Sequence, residues 1–89
     1  MLTSRQLEQR VKGFASHRRI EIMALLKQAP DLSLLEIADK LKMNFKTASA
    51  HTHRLAAASL ITKSVKSRIT KHKLSRRGQI ILGFLRNME

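Results

Sequence analysis

Two helix starts lie close together in the middle of the chain and leave its backbone little freedom. Ser33-Leu34-Leu35-Glu36 has capping-box spacing, in which a serine hydroxyl and a glutamate carboxylate each satisfy an amide that a helix start leaves open. It opens a helix over about residues 34–42, with Leu34, Ile37, Ala38 and Leu41 at the spacing of an inward face. Asn44 is placed to cap a second helix over about 45–58. There Ala48, Thr52 and Leu55 follow i, i+4 and i+7 and face the core, with His51 beside them. Only a few residues separate the two helices, so their axes must cross sharply.

The flanking segments supply the rest of one domain spanning residues 1–89. A helix over about 4–14 carries Leu7, Val11 and Phe14 on one stripe. Ser16 is placed to cap a helix over about 17–28, where Ile20, Ile22, Met23, Leu25 and Leu26 make most of the girth apolar, as in a helix that runs through a core. Pro30 prevents its continuation. After Leu60-Ile61 the period changes. Ile61, Lys63 and Val65 alternate with Thr62 and Ser64 as a half-buried strand does, and Ile69 to Leu74 offers a partner. Together they predict a hairpin over about 61–74, turning at Lys66-Ser67-Arg68. Ser75 then caps a last helix over about 76–88, with Ile80, Ile81, Leu82, Phe84, Leu85 and Met88. The expected class is mainly α with a small β-hairpin, and its middle pair is a helix-turn-helix in outline.

Charge falls unevenly on this plan. Residues 1–39 hold six Lys or Arg against five Asp or Glu, a balance of +1, while residues 40–89 hold twelve against one, a balance of +11. Between Asp39 and Glu89 there is no carboxylate side chain. Such a surface repels itself and is neutralised by a polyanion, which makes nucleic acid the expected partner. Three Phe with no Tyr or Trp argue against modules that stack unpaired bases on exposed aromatic rings. With no Cys there is no disulfide framework, thiolate metal site or cysteine nucleophile. No apolar run approaches the roughly 20 residues of a membrane span, and the N-terminal stretch lacks a signal-peptide core. The expectation is a cytoplasmic, nucleoid-associated protein.

The order helix, helix, helix-turn-helix, hairpin, helix resembles the winged-helix DNA-binding domain, and local sequences agree. Ser16-His17-Arg18-Arg19-Ile20-Glu21-Ile22-Met23 looks like the "D-P-T-R-L-R-I-L" opening of ArsR-type repressors, matching at Arg19 and in apolar spacing. Leu34-Leu35-Glu36-Ile37-Ala38-Asp39-Lys40-Leu41 looks like their "ELAxxL" helix. Thr47, Ser49, His51, Leu55 and Ala58-Ser59-Leu60-Ile61 fall in register with "STVSHHLKVLREAGLV". Leu74-Ser75-Arg76-Arg77-Gly78 is similar to the "L-T-x-x-G" after the wing of many such regulators, MarR-type ones included. The likeness covers about residues 5 to 88 and is more specific for the winged helix-turn-helix fold than for a subfamily. Thr52 stands where the family has an apolar residue, Ala48 where it has Val or Ile, and Ser59 where it has Gly. That serine costs little provided the position need not be left-handed.

The resemblance implies a regulator of transcription that binds double-stranded DNA as a homodimer. The helix over 45–58 then enters the major groove and presents Lys46, Thr47, Ser49, Ala50 and His53. Lys46 reaches either a guanine edge or a phosphate. Phe45 either meets a thymine methyl or staples the turn into the core, and the staple is the preferred reading. The wing over 62–73 follows the backbone or minor groove with Lys63, Lys66, Ser67, Arg68, Lys71, His72 and Lys73. Arg68 is its groove residue, because a narrow minor groove attracts a guanidinium. Arg18, Arg19 and Arg54 are further phosphate candidates, with Arg19 alternatively pairing with a carboxylate to hold the core helix. Leu7, Val11 and Phe14 on the first helix, with Ile81, Phe84, Leu85 and Met88 on the last, are the expected dimer interface.

No cofactor, metal site or enzyme activity is expected. His51 and His53 lie about 200° apart around a helix and point in opposite directions, so they cannot chelate one ion together. His51 reads as a partly buried packing residue, and His17 and His72 as surface groups. Neither an acid pair in the second half nor a Gly-rich phosphate loop is present. Two other functions fit the chain less closely: an architectural protein that coats DNA with little sequence preference, and a winged helix used for protein contact.

Overall fold

The computed structural model describes residues 3–5 and 17–87. Ser4 and Arg5 are helical; the rest of the helix expected over about 4–14, with Leu7, Val11 and Phe14, lies outside the described residues, as does Met88. The elements are α1 (His17–Gln28), β1 (Leu32–Ser33), α2 (Leu34–Lys40), α3 (Phe45–Ala57), β2 (Ile61–Lys66), β3 (Ile69–Leu74) and α4 (Arg76–Arg86). The three strands form an antiparallel sheet in the order β1-β3-β2. Four helices and this sheet make a winged helix-turn-helix. β1 was not foreseen in the sequence, being only two residues long. Its Leu32 is buried and pairs with His72 of β3, which fastens the base of the hairpin to the helical part.

α1 runs through the core as its apolar girth requires. Ile22, Met23 and Leu26 are fully enclosed and meet Ile37 of α2, Leu55 of α3, Leu60, Ile61 and Leu74 of the hairpin base, and Leu82 of α4. The capping box at the start of α2 is complete. The Glu36 amide donates to Ser33 Oγ at 3.2 Å, and the Ser33 amide donates to Glu36 Oε1 at 3.0 Å. Asn44 Oδ1 accepts from the Lys46 amide at 2.8 Å and starts α3.

Both helices of the central pair end in the same way. Lys42 and Ser59 adopt left-handed φ values of 51° and 61°. The Met43 and Lys42 amides donate to the Ala38 and Asp39 carbonyls, and the Leu60 and Ser59 amides to the Leu55 and Ala56 carbonyls. These are Schellman motifs, and at the second one Leu60 and Leu55 make its apolar contact inside the core. The motif turns the chain through a large angle in two residues, so a few residues suffice to set α2 and α3 crosswise. Ser59 therefore does occupy a left-handed position, the case in which its replacement of glycine carries a cost, since it lacks the freedom that would adopt it without strain. Thr52, fully buried where an apolar residue is usual, satisfies its hydroxyl by donating to the Ser49 carbonyl at 3.0 Å.

α4 starts against the end of α3. The Ser75 amide donates to the Leu60 carbonyl at 3.0 Å, while Ser75 Oγ donates to the Ser59 carbonyl at 2.7 Å and accepts from the Gly78 amide at 2.9 Å. A Cβ at Gly78 would lie 2.1 Å from the Leu60 oxygen and 2.6 Å from Leu74 Cδ1. Glycine is required there by contact with backbone, which has no side chain to swing aside.

Two substitutions should move stability in opposite directions. Ser59→Gly should raise it by about 1 kcal/mol by removing the left-handed penalty. Gly78→Ala should lower it by about 1–3 kcal/mol through overpacking. Urea denaturation midpoints of the two variants check both.

Candidate nucleic-acid interface

α3 buries Ala48, Thr52 and Leu55, so Lys46, Thr47, Ser49, Ala50, His53 and Arg54 are carried on its exposed side. The 3.6-residue period makes this inevitable once Ala48, Thr52 and Leu55 face inward. Thr47, Ser49 and Ala50 in the first turns of the helix are short, and the backbone there is approachable. Phe45 is 52% exposed beside them, so it does not staple the turn into the core.

The first turn of α1 lies against this helix. Arg19 is only 8% exposed, and its Nε donates to His51 Nδ1 at 3.2 Å. A guanidinium only donates, so the neutral imidazole carries its proton on Nε2. Arg19, Lys46, Thr47, Ala50, His51 and Arg54 line an open cleft of about 440 Å³ between α1 and α3. Burial holds the Arg19 guanidinium below its ordinary value, and the charge of Arg54 adds to this. His51 is lowered from the ordinary histidine value by burial first, and then by Arg19, Arg54 and Arg18. Arg19 Nε thus serves a histidine, a partner that the sequence did not suggest. Arg18 is engaged as well. Its Nη1 donates to the Glu21 carboxylate at 3.2 and 3.3 Å, and its Nη2 to the Leu41 carbonyl at 3.2 Å, tying α1 to the end of α2.

The hairpin projects from the body. Beyond Ile61 every residue of β2 is exposed, Val65 at 71%, so the strand is half-buried only at its base. Lys66 pairs with Ile69, which makes Ser67-Arg68 a two-residue loop and Lys66 the last strand residue. Ser67 and Arg68 have φ of 52° and 67°. Two positive φ values in succession are the requirement of a type I′ turn, normally met by Asn-Gly. No Gly marks this turn, because it is made by residues that must be strained into it.

The predicted wing cations are not equivalent. Lys66 Nζ and Lys73 Nζ lie 3.7 and 3.8 Å from the Asp31 carboxylate, and Lys71 Nζ lies 3.6 Å from Glu36 Oε1. Solvent-accessible pairs of this kind at the protein surface contribute about 0–1 kcal/mol. Lys63 and Arg68 are exposed and make no ion pair among the described residues. His72 is a correction: it is 2% exposed, with Nδ1 donating to the Leu32 carbonyl at 2.9 Å, and belongs to the β1–β3 seam. Its place in a basic run concealed this, since burial depended on a strand too short to recognise. Of the expected dimer residues, Ile81 and Leu85 are partly buried, and Phe84, with Ile80 beside it, is mostly exposed.

No group of three or more His, Asp or Glu among the described residues could hold a metal ion. No helix among them is long and apolar enough to cross a membrane.

No protein-family model matches the chain, and no curated protein matches it. Solved structures do. A winged helix-turn-helix DNA-binding domain from Mycobacterium bovis, described as homodimeric and as a possible ArsR-family transcriptional regulator, superposes with a TM-score of 0.78 at 22% identity, covering 98% of this chain and 86% of that one. The transcriptional regulator HlyU from Vibrio vulnificus gives 0.74 at 23% identity over 88% and 81% of the two chains. MepR from S. aureus, solved as a complex with DNA, gives 0.77 at 18% identity over 91% and 70%. At these identities the likeness establishes the fold.

The lowered His51 value has a consequence for stability. The unfolded chain takes up a proton at His51 more readily than the folded one, so this contribution is present above the ordinary histidine value and is lost as pH falls below it. Urea midpoints measured from about pH 7.5 down to about pH 5 should therefore decline, and less steeply in His51→Gln.

Proposed function

We propose that this chain is a transcriptional regulator that binds double-stranded DNA sequence-specifically as a homodimer, in the cytoplasm and associated with the nucleoid. α3 enters the major groove and the β2–β3 wing follows the backbone or minor groove. The observation that carries the reading is the exposed, carboxylate-free side of α3, flanked by a projecting basic hairpin. Lys46, Thr47, Ser49, Ala50 and His53 then face base edges or adjacent phosphates. Lys63, Lys66, Ser67, Arg68 and Lys71 contact the sugar-phosphate backbone, with Arg68 in the minor groove. Arg54 and Arg19 serve phosphates from the cleft, and Arg18 acts chiefly by fixing α1. The fold's likeness to DNA-binding regulators, one of them in complex with DNA, supports this role. Leu7, Val11, Phe14, Ile81, Phe84, Leu85 and Met88 form the dimer contact; the exposure of Phe84 and the homodimeric Mycobacterium bovis domain favour it. Catalysis has no part in this reading.

One observation favours the architectural alternative. Thr47, Ser49 and Ala50 are too short for bidentate base contacts, leaving few side chains on α3 able to discriminate bases. Selection of a randomised duplex pool at about physiological salt separates the two. A regulator enriches a two-fold-symmetric motif; retention without enrichment overturns specificity, and no retention overturns DNA binding.

Two variants extend the test. Lys46→Ala should relax preference at particular base pairs if it reads bases. Arg68→Gly should do two opposed things: stabilise the turn by about 1 kcal/mol, and weaken duplex binding with a salt slope shallower by about one unit.

A further inference from the structure

We propose that Asp31 and Glu36 are a built-in counter-charge that competes with DNA for Lys66, Lys71 and Lys73, holding down the affinity of the wing for any duplex. This rests on the DNA-binding reading and adds to it an autoinhibitory contact.

The register of the hairpin gathers the three lysines. Lys71 and Lys73 stand two residues apart on β3 and share a face, because side chains alternate along a strand. Ser64 pairs with Lys71, so Ser64, and Lys66 two residues further along β2, lie on that same face. Two carboxylates from the first half of the chain meet it. Asp31 Oδ2 lies 3.7 Å from Lys66 Nζ and Asp31 Oδ1 lies 3.8 Å from Lys73 Nζ. Glu36 Oε1 lies 3.6 Å from Lys71 Nζ. Lys63 pairs with buried His72 on the opposite face and is left out of this arrangement.

The acids are fixed and the lysines are not. The Asp31 amide donates to the His72 carbonyl at 2.9 Å, and the next residue, Leu32, is buried and pairs with His72. Asp31 is thereby tied to the base of the hairpin. Glu36 is tied by the capping box, in which its Oε1 accepts the Ser33 amide at 3.0 Å, and Ser33 itself pairs with Lys71. Hydrogen bonding to Ser33, and after it the charge of Lys71, holds the Glu36 carboxyl below its ordinary value, so it stays anionic. The lysines come to these anchored groups on long, flexible stems, and the Lys66 and Lys73 side chains remain more than half exposed. Asp31 Oδ1 is covered yet accepts no hydrogen bond among the described residues, so charge alone joins it to Lys73.

A DNA phosphate that takes one of these lysines leaves behind a carboxylate that cannot follow. The uncovered carboxylate repels the sugar-phosphate chain. It also attracts a cation from solution, which offsets one of the counterions that the DNA releases. Both effects are blind to base sequence and weaken all duplexes alike.

The test uses Asp31→Asn and Glu36→Gln. Asparagine tolerates the left-handed φ of 66° at position 31, and glutamine serves in a capping box, so each change removes a charge and keeps the local fold. Affinity for one fixed duplex is measured across a series of salt concentrations. Each variant should bind about two- to fivefold more tightly at low salt, the range a surface ion pair allows. Its salt slope should be steeper by about one unit. The gain should disappear when the lysines are removed as well: Asp31→Asn then adds nothing to Lys66→Ala with Lys73→Ala, and Glu36→Gln adds nothing to Lys71→Ala. Unchanged affinity in the two variants, or a gain that survives loss of the lysines, overturns the proposal and leaves DNA binding intact. If neither wild type nor variants bind any duplex, the DNA reading fails, and the salt needed to elute each protein from immobilised heparin decides the rest. Later elution of the variants, dependent on the same lysines, keeps the competition and reassigns the partner to another polyanion. Elution together with the wild type removes the competition altogether.

Discussion

The carbonyl of Leu60 is the point to which the rest of the molecule is fastened. It ends the turn that closes α3, begins β2, accepts the Ser75 amide where the hairpin returns, and sits under Gly78 at the start of α4. Four elements meet within one peptide unit. Backbone can approach backbone this closely only if one side chain is missing, and Gly78 is the residue that lacks it. Ser75 completes the joint with a single hydroxyl that both donates and accepts, so no polar group there is left unsatisfied. The wing is thereby held at a defined angle to α3, although nothing in the wing beyond Ile61 is buried on β2.

Around that joint, the molecule holds several locally unfavourable conformations. Lys42 and Ser59 at the helix ends and Ser67 and Arg68 at the wing tip are all left-handed without being glycine. Arg19 and His51 are partly withdrawn from water among like charges. The strain at Arg68 is informative, since a turn of this kind prefers glycine there and the chain instead places a guanidinium at the tip. Such departures from local preference collect at functional sites and are balanced by a well-packed core elsewhere. Here the balance is supplied by α1, whose Ile22, Met23 and Leu26 are enclosed by α2, α3, α4 and the hairpin base.

Charge on the wing is organised rather than simply accumulated. Asp31 and Glu36 hold Lys66, Lys73 and Lys71 along one face of the sheet. These pairs offset the repulsion among three neighbouring lysines. Lys63 and Arg68 carry no such partner among the described residues. The first half of the chain, nearly neutral overall, thus contributes the carboxylates that manage the charge of the second.

The sequence by itself determined what depends on residues within a turn or two of each other. The capping box at Ser33–Glu36, the caps at Asn44 and Ser75, the inward stripe Ala48-Thr52-Leu55 and the change of period after Leu60 all stand as expected, because capping and periodicity act over three or four residues. What only the tertiary structure decided depends on partners far along the chain. His72 is buried because Leu32, 40 residues away, offers a carbonyl to it. Arg19 Nε meets His51 Nδ1 across a separation of 32 residues. Phe45 stays exposed although it is apolar. Ser59 is left-handed because the helix it ends must turn at once into a strand. Local preference opposes that conformation, and the burial of Leu60 against Leu55 outweighs it.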